Sequence, residues 1–283
     1  MVDVQIRLKL RYGLLCISKG SVINFGKGTD WPKEKVTIVN AANTGGVFGG
    51  AVDRAVNDAG GEALVNDRKK LPEISRGVRI NYGSAVLTGP NSYGKLYGKY
   101  VVHAVGPDYP VLMGRGNNSG PCDKLLKNAY AEALGLAAKS AVSYVGFALL
   151  SAGVFRGTCS LEHVLGLGME AIFESAYEGL EEVHLVAYTD AEMEALKGLA
   201  KKHPELLVKS EGAGAEAPAS PEKPKEKAEG EGVAPPSEPK QSEEGAAAAP
   251  EAAPGGDGGS GAEGPPTGDA PAEGQKAAEG AAS

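Results

Sequence analysis

At Val208 the chain changes from a sequence that can fold to one that cannot. From Lys209 to Ser283 there is no aromatic residue and no Leu, Ile, Met, Cys, His or Arg, and Val233 is the sole β-branched aliphatic. Ala, Gly, Pro, Glu, Ser and Lys fill nearly all the rest. Such a segment cannot bury enough apolar surface to offset the entropy of ordering it. Residues 209–283 therefore read as a disordered, low-complexity acidic tail, and one folded domain is expected over residues 1–208.

The charge divides at the same point. The tail carries 15 acids against 6 lysines, and the remainder 23 Lys and Arg against 21 acids, so the net charge of −7 separates into −9 and +2. A folded part so close to neutral argues against a nucleic-acid-binding stripe. No apolar run approaches ~18 residues, so no membrane span is expected. Met1–Leu15 alternates charged with apolar residues and lacks a signal-peptide core. Cys16, Cys122 and Cys159 have no CxxC spacing and cannot all pair with one another, which fits a reduced, intracellular compartment, cytoplasmic or nuclear. The four histidines and these cysteines show no metal-ligand spacing, so neither a metal nor a cofactor is expected. A monomer is expected.

Strand and helix patterns alternate along residues 1–208. Val4–Arg11 alternates apolar and polar positions, and Leu14–Ile17 follows Gly13, as a hairpin would. Val36–Val39 is a short β-branched run suited to a buried strand. Glycines 45, 46, 49 and 50 follow, and then Ala51, Val52, Ala55 and Val56 stand at helical spacing. Ala85–Thr88, Tyr100–Val105, Val145–Leu150 and Val183–Tyr188 read as strands. Leu125–Ala138, Leu161–Tyr177 with Ser160 as N-cap, and a segment capped by Asp190 and ending near His203–Pro204 read as helices. This order implies an α/β fold of three layers, α/β/α, around a mixed, mostly parallel sheet with an antiparallel N-terminal edge.

Ligands of open α/β sheets bind beyond the carboxyl ends of the strands, and three segments fall there. In Val39–Asn43 running into Thr44–Gly50, two Asn side chains suit sugar hydroxyls and the glycines admit close backbone approach before a helix N-terminus. Alone, this loop is equally a plain turn. In Val102–Pro107, His103 reads by itself as a core histidine with a satisfied hydrogen bond. In Leu149–Gly157, loop N–H groups suit a phosphate, and Phe155 either stacks on a sugar or base or plugs the core. Two phosphate-type loops on one sheet edge point to a diphosphate. No GxGxxG follows the first strand and no GxxxxGK[ST] occurs, which excludes a Rossmann dehydrogenase and a P-loop NTPase.

Taken together, VNAAN (39–43), GGVFGGAV (45–52), VVHAVGP (101–107) and SAGVFRG (151–157) resemble the macro domain family, over about Leu8 to Lys202. The resemblance implies binding of ADP-ribose or of ADP-ribosylated protein. It implies Asn43 at the distal ribose, and a catalytic role for Asn43 if there is turnover. Asn40, Ala41, Gly45, Gly46, Val47 and Phe48 would line one side of the diphosphate and ribose. Ser151, Ala152, Gly153, Val154 and Phe155 would line the other, and Ser21 and Val22 would meet the adenine. The chain departs from the family pattern at three places. Ser21 stands where many members carry an adenine-binding Asp. Gly49 stands where hydrolytic members carry an Asp, which removes an obvious general base. Val47 and Phe48 occupy a shortened loop and are expected to reduce the room at the diphosphate. Three outcomes are therefore open: a hydrolase of ADP-ribosyl linkages or of O-acetyl-ADP-ribose, a non-catalytic reader, or a degenerate fold whose cleft Phe48 fills. The tail reads as a spacer, an interaction arm or a solubilising segment.

Overall fold

The computed structural model of the chain describes residues 2–114 and 118–208. The expected disordered tail, 209–283, lies outside the described residues.

Seven strands form one sheet: β1 (Asp3–Lys9), β2 (Leu14–Lys19), β3 (Val36–Ala41), β4 (Ala85–Thr88), β5 (Tyr100–Ala104), β6 (Tyr144–Phe147) and β7 (Glu182–Ala187). Their order across the sheet is β1-β2-β7-β6-β3-β5-β4. The four inner pairings are parallel. The two outer ones are antiparallel, β1 on β2 and β4 on β5. The antiparallel N-terminal edge agrees with the sequence pattern. The second antiparallel edge, β4, was not legible there, because four residues with no helix between them and β5 carry no information on direction.

The helices are α1 (Ala51–Lys69), α2 (Tyr109–Met113), α3 (Gly120–Lys139), α4 (Leu161–Ser175) and α5 (Asp190–Ala200). The alternation of each strand decides which layer it feeds. On β3, Val39 joins the core under α3, α4 and α5, while Val36 and Ile38 join the core on the α1 side. On β5, Val102 and Val101 divide in the same way. Both faces of the inner strands are thus apolar and covered, as a parallel sheet requires.

The helix ends follow local chemistry. Ser160 caps α4, its Oγ accepting from the His163 N–H at 3.1 Å. For α5 the cap is Thr189 and not the expected Asp190: Thr189 Oγ1 accepts from Glu192 N at 3.2 Å, and Glu192 Oε2 accepts from Thr189 N at 2.8 Å. That reciprocal pair satisfies two otherwise unpaired donors, leaving Asp190 in the first turn near the positive end of the helix dipole. Short α2, capped by Asp108, had no periodicity long enough to reveal it.

Candidate functional site

A cleft opens at the carboxyl ends of the parallel strands, between the β3–α1 loop and the β6–α4 loop. It has two adjoining compartments, of about 320 and 640 Å³, that share Ala51, Val52, Leu149, Ala152 and Gly153. Ala41, Ala42, Asn43, Gly49, Asp53 and Phe155 are among the residues lining the smaller one. Ser21, Val22, Val186, Tyr188 and Glu192 are among those lining the larger. These volumes lie in the range that encloses small-molecule ligands.

Neither compartment is lined by a Lys or an Arg among the described residues. An anion would have to be held by backbone N–H groups, which requires a loop of special shape. Ser151 and Ala51 both have left-handed φ, +52° and +47°, although neither is glycine. Each costs of order 1–3 kcal/mol of local strain, and such strain persists where the surroundings impose it. At Ser151 the imposing contact is visible: its Oγ donates to the Pro107 carbonyl at 2.8 Å. A Cβ on Gly106 would stand 2.3 Å from that Oγ, so the HAVGP segment needs glycine there to seat the neighbouring loop. Beyond Ser151 the chain makes a single 3-10 turn, Val154–Arg156, and Arg156 ties it down by donating to the carbonyls of Ala152 (3.3 Å) and Cys159 (2.6 Å). The N–H groups at the start of such a turn have no partner within it and are available to a ligand.

The opposite wall, the glycine loop, is held from below by a buried polar network. Arg68 is completely buried and ion-pairs with Asp53 at 2.8 Å. Its Nε donates to the Gly46 carbonyl at 2.9 Å and its Nη1 to Asn57 Oδ1 at 2.6 Å. Asn57 in turn donates to the Val47 carbonyl at 2.8 Å. Asn40 Nδ2 donates to Asp53 Oδ1 and to His103 Nδ1, the latter at 3.2 Å. Because Nδ1 receives that proton, Nε2 carries the ring hydrogen and faces Thr88 Oγ1 at 3.0 Å. Burial drives the His103 pKa well below its ordinary value, and the Arg68 charge adds to this, so the ring is neutral. His103 is a core histidine, as its apolar strand suggests.

The sequence-derived residues divide. Ser21 and Val22 line the larger compartment; Ala41, Asn43, Ser151, Ala152, Gly153, Val154 and Phe155 line the smaller, and Ala152 and Gly153 line both. Asn40 does not line it: strand alternation turns its side chain into the buried network. Gly45, Gly46, Val47 and Phe48 also lie outside the lining. Residues 45–48 of the shortened loop stand outside the lining while Asn43, Gly49 and Gly50 on either side of them form it, and the loop is pinned by Arg79, which donates to the Gly45 carbonyl at 3.2 Å. Phe48, expected to crowd the diphosphate, is 64% exposed, with the Lys69 ammonium 6.0 Å from its ring centroid. Among the described residues Phe48 therefore does not fill the cleft. Asn43 is held within its own loop, Nδ2 donating to the Phe48 carbonyl at 2.8 Å.

Sequence reasoning missed Asp53, which was hidden in the first turn of a helix, and Tyr188, 73% exposed at the end of β7. For Tyr188 the signal existed: the residue that follows the carboxyl end of a parallel strand lies at the ligand-binding edge. It also missed a cluster away from the cleft. Register places Cys16 beside His184, and with Glu182 their ligand atoms fall within 4.8 Å. These groups already satisfy one another, His184 bonding Glu182 and Ser18 at 2.8 Å each. Burial, reinforced by Glu182, pushes the Cys16 thiol up to about 12, so it keeps its proton.

The family model described as Macro domain matches residues 39–161. A macro domain-containing protein of Caldanaerobacter subterraneus is 35% identical over 170 residues, covering 59% of this chain and 89% of the relative. A protein of Pantoea vagans named O-acetyl-ADP-ribose deacetylase 1 is 33% identical over 157 residues, covering 55% and 84%. Among solved structures, the Oceanobacillus iheyensis macrodomain with ADP superposes with a TM-score of 0.57 at 20% identity, covering 72% of this chain and 98% of the other. At that identity the likeness concerns the fold alone.

Proposed function

The chain belongs to the macro domain family, and on that premise we propose that it binds ADP-ribose and hydrolyses an ester on the distal ribose of an ADP-ribose derivative. In this reading the larger compartment takes the adenosine half. The loop of Ser151 to Phe155 holds the diphosphate, and the distal ribose enters the smaller compartment beside Asn43. The observation that carries it is a two-part cleft at the strand ends whose walls, among the described residues, offer loop N–H groups but no cationic side chain. Oriented amides match the negative charge of a diphosphate at little entropic cost. The name of the Pantoea vagans relative supports the ester as substrate class. At the adenine, Ser21 offers a neutral hydroxyl where a carboxylate would give a charge-assisted bond, so selectivity against other bases is weaker.

A second reading, a reader without turnover, is favoured by one feature: Gly49 puts no side chain on the loop that faces the ribose. Incubation of the full-length chain with O-acetyl-ADP-ribose, with acetate release followed over time, separates the two. Turnover that is lost in Asn43→Ala supports the hydrolase; binding of the intact ester with no acetate released leaves the reader. We further propose a monomer resident in a reducing intracellular compartment, supported by three unpaired cysteines.

A further inference from the structure

Among the described residues, Asp53 is the only ionisable side chain that lines the smaller compartment. It is 2% exposed. Its two oxygens differ. Oδ1 receives Arg68 Nη1 and Asn40 Nδ2, which fixes the plane of the carboxylate. Oδ2 is buried and has no hydrogen-bond partner among the described residues. Asn40 Oδ1 and Arg68 Nη2 are in the same condition, so one connected network holds three unsatisfied polar atoms, of which the Asp53 oxygen belongs to a residue that lines the cleft. Buried polar groups are nearly always paired, so a cluster of exceptions calls for a physical reason, and a chemical role is one of the few that account for it.

The position of Oδ2 says what it faces. A Cβ built on Gly49 would stand 2.4 Å from Asp53 Oδ2 and 3.0 Å from Asn43 Nδ2. The missing side chain at Gly49 is thus the point on which the carboxylate and the Asn43 amide converge. A residue larger than glycine would separate them. We propose, resting on the hydrolase reading above, that Asp53 is a catalytic residue of the cleft, its Oδ2 being the general base that the loop itself does not carry.

Little has to move for Oδ2 to be reached. Phe48 is exposed, Gly49 and Gly50 have no side chains, and a Cβ on Gly50 would meet nothing within 4 Å. Residues 48–50 can shift outward without unpacking a core side chain, and catalytic hydrogen bonds commonly tighten only once substrate is bound. In the step, a water oxygen bonds to the acyl carbon of the ribose ester as one of its protons passes to Asp53 Oδ2. The bond from that carbon to the ribose oxygen breaks with its electron pair. The proton on Oδ2 then passes to the ribose oxygen, releasing the free acid and ADP-ribose and restoring the carboxylate. Arg68 and Asn40 do not touch the substrate; they hold Oδ1 so that Oδ2 keeps its aim.

The test uses the full-length chain and its Asp53→Asn variant, with O-acetyl-ADP-ribose as substrate, ADP-ribose as binding probe and the thermal midpoint as a measure of folding. The expected result is a kcat lower by ~100-fold or more, with KM and the ADP-ribose Kd within about threefold of the parent. A folded Asp53→Asn protein that turns over at the parental rate overturns the proposal, as does a parallel loss of kcat and of ADP-ribose binding, which marks Asp53 as structural. If Asp53→Asn does not fold, because the Arg68 charge is left unpaired, Asp53→Asn combined with Arg68→Gln removes both charges and is read by the same criteria. A parent chain that binds ADP-ribose but releases no acetate overturns this proposal and leaves the binding reading intact. A parent that does not bind ADP-ribose overturns the binding reading itself.

Discussion

At the scale of the residue, the organising feature is the Arg68–Asp53 pair. Two charges taken fully out of water are tolerated only when geometry and further hydrogen bonds compensate. Here Arg68 also satisfies the Gly46 carbonyl and Asn57, so one side chain ties a helix to the loop in front of it. Arg68→Ala strands Asp53, Asn57 and the Gly46 carbonyl at once, and it should destabilise the protein by about 3–5 kcal/mol. For a domain of this size that amounts to a fall of the thermal midpoint on the order of 10 °C, readable by calorimetry. Gly49 makes the opposite demonstration. Gly49→Ala places a methyl against Asp53 Oδ2 and the Asn43 amide, and ADP-ribose affinity should fall by about tenfold or more, with a smaller fall in midpoint than Arg68→Ala gives, because the carboxylate is displaced but keeps its charged partner. Unchanged affinity would remove Gly49 and its neighbours from the ligand's path. Neither relation was legible from the sequence. Asn40 and Asn43 are chemically alike and three positions apart, yet strand alternation sends one into the core and leaves the other at the cleft. Arg68 sits at the far end of a helix from the loop that it holds.

At the scale of the element, much more was legible. Strands fed by β-branched runs and helices fed by 3.6-residue periodicity fell where expected, because both faces of a parallel sheet must be apolar and each helix needs one apolar stripe. What failed was local. Asp190 and Thr189 are both acceptable caps, and the choice fell to Thr189 because Glu192 stands three residues on and completes the reciprocal bond. Thr189→Ala should cost about 1 kcal/mol, measured by chemical denaturation, while Asp190→Ala should cost less. The loop after β6 depends on the segment after β5. Gly106→Ala drives a Cβ into Ser151 Oγ and should weaken ADP-ribose binding through a displaced Ser151 loop. A titration showing parental affinity would mean that the two loops are not coupled. The shortened glycine loop was misjudged for a related reason: its carbonyls are claimed by Arg68, Arg79 and Asn57, which carry Phe48 outward, and none of these partners adjoins it in sequence.

At the scale of the whole molecule, the folded residues are nearly neutral and the acidity belongs to residues 209–283. On the proposed function the cleft meets an anion with amides rather than with a positive field, so salt should weaken binding only modestly. The central claim is that this cleft recognises both ends of ADP-ribose, and calorimetric titration of the full-length chain with ADP-ribose, ADP and AMP tests it most directly. The account predicts saturable binding of ADP-ribose that is tighter than that of ADP, and of ADP tighter than that of AMP, since each truncation empties part of the smaller compartment. Equal affinity for all three, or no heat with any of them, would contradict it.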